Sequence, residues 1–220
     1  MKKYNVIGVM SGTSVDGLDI SFCRFIKNKK WKYEILNSKT YHFSNFWKKT
    51  LINLHLENEK KIKEIDIEFA KHISDKINHF VEKNKIKADI ISSHGHTVFH
   101  DPSKKITLQI GSGKVINELC KITTVNNFRK IDIDLGGQGA PLVPIGDKLL
   151  FQQYKYCLNI GGFANLSVKA NNSIKAFDIC PANIALNFYC RKLGKEFDSG
   201  GEISRSGSMI KPLYDELNKI

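Results

Sequence analysis

"GVMSGTSVDGLD", residues 8–19, decides the fold, because within twelve positions it closes one apolar-alternating strand, turns on Ser-Gly-Thr-Ser and opens another strand. Outward from it, "YNVIGVM" (4–10), "LDISFCRFI" (18–26) and "WKYEILNSKTYHF" (31–43) keep a period of two and are separated by short polar links. That pattern predicts three sequential antiparallel strands. In the first turn, Ser11, Gly12, Thr13 and Ser14 can aim backbone N–H groups and hydroxyls at one anion, and glycine lets it come close. Asp16 and Asp19 would repel a bare phosphate, so their presence fits Mg²⁺ or its water shell lying between them and the phosphates. A capped hairpin turn built from ordinary turn residues is the plainer alternative.

Further along, Ile62, Ile65, Phe69, Ile73, Ile77 and Phe80 recur at spacings of three and four, which predicts an amphipathic helix over 60–84 whose stripe is core. "ADIISS" (88–93) reads as a buried strand ending in a polar loop, "HGHTVFHDP" (94–102). After it come a strand at 106–110, a helix at 112–120 and a short strand at 122–125. The Gly-rich, polar 126–141 segment reads as a crossover between domains, followed by a helix over 142–154. "YCLNIGGFANLSVKA" (156–170) then repeats the strand, glycine turn and strand theme, and "SIKAFDI" (173–179) adds a strand before a helix over 183–193. The recurrence suggests two similar α/β lobes with ligands between them. The lobes divide as 1–125 and 126–220, and the chain closes on an amphipathic helix over 208–220.

Hydrophobic residues at 41% and charged residues at 25% make a globular composition, and no apolar run approaches the roughly 18 to 20 residues that cross a bilayer. A membrane is not an expected partner. The Met-Lys-Lys start leads into an apolar stretch too short for a secretory signal, so the chain reads as cytoplasmic. Five scattered cysteines without a C-x-x-C pair read as reduced, buried thiols. The net charge of +12 raises the question of nucleic acid, but only four of the 34 basic residues are arginine and no nucleic-acid motif accompanies them. Nucleic acid is therefore not an expected partner either. His94, His96 and His100 fall within seven residues, a spacing that permits zinc, although no metal is expected there.

Five ordered motifs carry a resemblance. "GVMSGTSVDGLD", "SHGHTVFHDP" (93–102), "LGGQGAPLVP" (135–144), "LNIGGFANLS" (158–167) and "AFDICPAN" (176–183) together resemble the anhydro-N-acetylmuramic acid kinases, members of the actin-like sugar-kinase superfold. The resemblance implies duplicated actin-like (ribonuclease H-like) lobes, the first complete and the second incomplete at residue 220. It implies ATP and Mg²⁺ as cofactors, an anhydro amino sugar as small-molecule partner, a role in peptidoglycan recycling, and the option of a homodimer. Gly12, Thr13, Ser14, Val15, Asp16, Gly17, Leu18 and Asp19 would hold the nucleotide from the first lobe, and Gly161, Gly162 and Asn165 from the second. Thr97 and Arg129 would hold the sugar, and Asp178 would be the catalytic base. The residues alone leave Asp178 open as a helix cap and Arg129 open as an ion-pair partner of Asp132. The chain also departs from the family pattern: His96 stands for Gln, Asn127 for Asp, and Ile179, Cys180 and Ala182 for Thr, Gly and Gly. Two lost glycines restrict the backbone beside the expected base, so impaired activity, or a remnant that only binds sugar or a partner, is the competing expectation.

Overall fold

The computed structural model describes residues 1–140, 142–170 and 173–219. Pro141 of the Gly-Gly-Gln motif and Ile220 of the expected closing helix lie outside these. Chain contacts divide the protein into two units, one of 1–155 with 169–174 and one of 156–168 with 175–220. The segment 126–155 thus clusters with the first unit.

The first unit is built on a five-stranded mixed sheet. β1 (Lys2–Ser11) and β2 (Gly17–Lys27) pair antiparallel without interruption from Lys2↔Lys27 to Ser11↔Leu18. β3 (Trp31–His42) joins β2 with one bulge at Phe22/Cys23. β4 (Ile90–Ser93) runs parallel to β1, and β7 (Thr124–Val125) parallel to β4, giving the order β3-β2-β1-β4-β7. Alternation puts Ile7, Val9, Leu18 and Ile20 on one buried face.

Against the buried core lies α2 (Glu59–Asn84), and all six residues of its apolar stripe are buried. Asn58 caps it, its side-chain oxygen accepting from the Lys61 N–H at 2.9 Å, and Lys85 ends it in the left-handed conformation at φ 52°. A helix absent from the sequence reading precedes it: α1 (Asn45–Asn53), capped by Ser44, buries Trp47 and Leu51. Trp47, Phe43, Phe69 and the His72 ring pack together with centroids 5.2 to 6.3 Å apart.

Four further expectations need correcting. The 94–102 stretch is not a loop: β5 (His96–Asp101) pairs antiparallel with β6 (Ile106–Ile110) in a separate two-stranded sheet. The crossover holds a helix, α4 (Phe128–Asp134), after α3 (Gly113–Cys120), and α5 (Val143–Leu150) stops four residues before the expected end. Of the cysteines, all free, only Cys190 is buried and Cys180 is exposed.

In the second unit β8 (Tyr156–Ile160) pairs antiparallel with β9 (Phe163–Ala170), and β10 (Ser173–Pro181) lies on the other edge of β9. α6 (Asn183–Lys192), α7 (Glu202–Ser206) and α8 (Lys211–Leu217) follow. Among the described residues of this unit only Ala164, Ser167 and Cys190 are buried, while Leu158, Ile160, Phe177, Ile179 and Phe188 are half-exposed or more. Across all described residues, no helix is long and apolar enough to cross a membrane.

Candidate functional site

The turn between β1 and β2 is a core-anchored frame with a polar rim. The Val15 N–H donates to the Gly12 carbonyl at 3.2 Å, and Val15 itself sits at φ 54° with its side chain 5% exposed. A β-branched residue in that region costs on the order of 1–3 kcal/mol, so burial holds the strained turn in place. Gly17 is required by packing, since a Cβ there would lie 2.8 Å from the Tyr41 carbonyl oxygen. Leu18 is buried, so any ligand contact at Val15, Gly17 or Leu18 would be through the backbone.

Thr13, Ser14, Asp16 and Asp19 are exposed on the rim. Asp16 Oδ1 accepts from Ser14 Oγ at 2.7 Å and from the Gly17 N–H at 3.1 Å, and Asp19 Oδ1 accepts from Thr40 Oγ1 at 2.5 Å. The Oδ2 atoms take no part in these bonds. A donor set of carboxylate and hydroxyl oxygens fits hydrated Mg²⁺, which keeps most of its waters beside phosphate. Ser11, expected on the rim, is instead buried, and its Oγ lies 3.1 Å from His96 Nδ1.

His96 begins the motif's second half, and Gly95 places it. Gly95 has φ 71°, and a Cβ there would run into the Ile110 carbonyl oxygen. Burial, with the nearby His94 charge adding to it, depresses the His96 pKa to about 4. His94 accepts from Arg129 Nε at Nε2, 2.9 Å away, so its proton is on Nδ1, which donates to the Gly95 carbonyl at 3.0 Å. Burial lowers the His94 pKa as well. Thr97, next on β5, accepts from Gln109 Nε2 at 3.4 Å. His100 lies 3.2 Å from Thr107 Oγ1, so each of the three histidines has its own partner. Among the described residues no group of three His, Cys, Asp or Glu side chains could hold a metal ion.

Arg129 does not pair with Asp132, the alternative left open by the sequence. Its Nη1 donates to the Gly139 carbonyl at 2.6 Å, while Asp132 Oδ2 accepts from the Gly139 N–H at 2.6 Å. α4 thereby clasps the Gly-rich loop, and Arg129 Nη2 takes no part in these bonds. Asn127, where the family pattern has Asp, adopts φ 60° before α4, a conformation asparagine tolerates.

In the second unit the Gly161 and Gly162 carbonyls accept from the Asn183 and Ala182 N–H groups at 3.1 and 2.8 Å, and Asn183 Nδ2 adds a bond to Gly161 at 3.0 Å. The start of α6 is thus tied to the hairpin turn. A Cβ at Gly162 would meet nothing within 4 Å. Asn165 is half-buried on β9, and Asp178 is exposed within β10. Asp178 is not the cap of α6, whose N-cap is Ala182.

Sequence reasoning missed Ser11 and Gly95 as the pieces that join turn and strand. The available signal was a serine at an inward-alternating position of β1 and a glycine directly before a chemistry-bearing strand.

Compared with known proteins, a sequence model of the anhydro-N-acetylmuramic acid kinase family matches residues 4–219. The anhydro-N-acetylmuramic acid kinase of Pelagibacter ubique is 34% identical, the match covering 98% of this chain and 62% of that protein. Those of Sulfurimonas denitrificans and Acinetobacter baylyi are 33% and 36% identical, with 97% and 96% of this chain covered and 60% and 58% of theirs. The chain spans about three-fifths of the length of these curated relatives.

Proposed function

This chain belongs to the anhydro-N-acetylmuramic acid kinase family, and from that premise we propose that it is an ATP-dependent kinase acting on 1,6-anhydro-N-acetylmuramic acid in cytoplasmic peptidoglycan recycling. In this reading residues 1–125 are a first actin-like lobe and 126–220 the crossover and opening part of a second, with the crossover segment 126–155 packed into the first unit. Water adds to the anomeric carbon, the C1–O6 bond breaks, and O6 attacks the γ-phosphorus, giving N-acetylmuramic acid 6-phosphate and ADP. ATP supplies the phosphoryl group and Mg²⁺ neutralises its charge.

The chain's own residues divide the remaining work. Gly12, Thr13 and Ser14 would hold phosphate oxygens, and Asp16 and Asp19 would hold the hydrated metal ion that neutralises their charge. Thr97 Oγ1 and Arg129 Nη2 orient the sugar, the latter by its lactyl carboxylate. Asp178 takes the proton from water. Gly161 and Gly162 form the second nucleotide-facing turn, with Asn165 beside it on β9, and the open space beside Gly162 leaves room for close approach.

The observation that carries the reading is the first turn: a strained, core-anchored frame with two hydroxyls and two carboxylates on its exposed rim. Incubation with ATP, Mg²⁺ and the anhydro sugar should give the 6-phosphate by mass spectrometry, with ADP release strictly dependent on sugar. Sugar-independent hydrolysis, or no sugar phosphate at all, refutes it. One observation favours a second reading, a binding remnant without turnover: the second unit, which carries Asp178, has only three buried residues among those described. Sugar binding without phosphorylation would select it.

A further inference from the structure

We propose that Ser11 and His96 are positioning residues whose buried hydrogen bond couples the phosphate turn to the sugar-binding strand, so that each ligand strengthens the binding of the other. The inference rests on the kinase reading for the identity of the ligands, but the link itself rests on geometry within the first unit.

Ser11 is the last residue of β1 and directly precedes the turn. His96 is the first residue of β5 and directly precedes Thr97. Their side chains meet at 3.1 Å across 85 positions of sequence, Ser11 2% and His96 3% exposed. The backbone repeats the tie one step away, where the His94 N–H donates to the Val9 carbonyl at 3.0 Å. On the other side His94 holds Arg129. The tripeptide His94-Gly95-His96 therefore touches the turn, carries Thr97 and orients Arg129, and Gly95 can be nothing larger without meeting the Ile110 carbonyl oxygen. Neither His94 nor His96 needs to touch a ligand for this. A shift of the turn on binding phosphate must move Ser11, and with it the strand that presents Thr97, because the packed core leaves the pair no slack.

A plain structural role would look different in a double-mutant cycle. Ser11→Ala leaves His96 Nδ1 buried without a partner, and His96→Leu does the same to Ser11 Oγ. The double variant replaces both polar partners by apolar groups and should regain much of the lost stability, yet it cannot regain the coupling. His96→Asn keeps a polar atom near the Nδ1 position and should retain part of it.

The test uses the full chain in all five forms. Hydrogen exchange is followed at residues 12–17 and 94–100, with Mg·ATP and, separately, 1,6-anhydro-N-acetylmuramic acid as probes, and sugar affinity is measured with and without nucleotide. In the parent, Mg·ATP should slow exchange in both segments and tighten sugar binding about fivefold or more. Both single variants and the double variant should lose that cross-response. A double variant that keeps it overturns the proposal. If the parent binds neither ligand, the kinase reading fails and the ligand-free data decide the link. Faster exchange at 12–17 in His96→Leu and at 94–100 in Ser11→Ala supports it, and changes confined to each variant's own segment overturn it.

Discussion

Acidification should destabilise the first unit through His96 before carboxylate protonation dominates. Burial holds its folded-state pKa at about 4, against 6.5 for the free side chain. Between these values the unfolded chain binds a proton that the folded chain refuses, so stability is complete above the unfolded pKa and is lost as pH falls toward the folded one. The difference corresponds to about 2 kcal/mol lost at pH 5 and about 3 kcal/mol below pH 4. His72, His94 and His100 are depressed by burial in the same direction and add slope of the same sign. Asp101, lowered to about 2 by its bonds from Ser103 and Lys104, loses its contribution only at lower pH. All of these persist in His96→Leu, so the difference between parent and variant isolates His96. Both tryptophans, Trp31 and Trp47, lie in the first unit. Fluorescence-monitored urea unfolding from pH 7 to 4 therefore reports on it. The parent curve should fall more steeply than that of His96→Leu, whose lost hydrogen bond adds only a constant offset. Parallel curves would show that the His96 environment does not exclude the charged ring.

Gly95→Ala should destabilise the first unit by about 3 kcal/mol or more, since strain at positive φ and a backbone clash act together; an unchanged urea midpoint would contradict the geometry. Val15→Gly trades about 1–3 kcal/mol of relieved backbone strain against a comparable loss of core packing. Its net effect on stability should be about 1 kcal/mol, while calorimetric titration should show weaker Mg·ATP binding because the turn is no longer fixed. Asp178→Asn should abolish sugar-dependent ADP release and leave sugar affinity unchanged by the same titration, since the amide keeps the shape but accepts no proton from water.

Periodicity exposed the elements whose two faces differ most. The three opening strands and the α2 stripe follow from alternation at 4–43 and from spacings of three and four at 62–80, and all six stripe residues are buried. β5 was hidden because its four polar positions, His96, Thr97, His100 and Asp101, look like a loop, and what makes it a strand is pairing with β6, a tertiary fact. α4 was hidden by the glycines after it, although they are the segment it clasps through Arg129 and Asp132. α1 was within reach, since Ser44 as cap with Trp47, Leu51 and Leu54 at helical spacing is a local signal. At the site the polar rim was legible as residue types at one turn. The inward Ser11 was not, because its partner is 85 positions away and neither residue reveals the other.

The two units are buried to different degrees, and in the proposed kinase this would separate sugar binding from turnover. Every residue assigned to the first phosphate turn and to the sugar, from Gly12 through Thr97 to Arg129, belongs to a unit whose core includes Ile7, Leu18, Phe69, Ile73 and Ile91, each essentially solvent-free. Such a core is sufficient to fix the turn and the His94-Gly95-His96 tripeptide by itself. Asp178 and the second glycine turn belong to a unit in which Phe177 and Ile179, the neighbours of Asp178 on its own strand, are each 52% exposed. A carboxylate acts as an efficient base when its geometry to water is held and competing solvent is kept out, and an exposed strand supplies little of either. Sugar affinity should therefore survive conditions that loosen the second unit, while the chemical step should not. Mild denaturant should thus reduce turnover at a concentration where the tryptophan signal and sugar binding are still unchanged. Loss of binding and turnover in a single step would mean that the second unit contributes to affinity as much as the first.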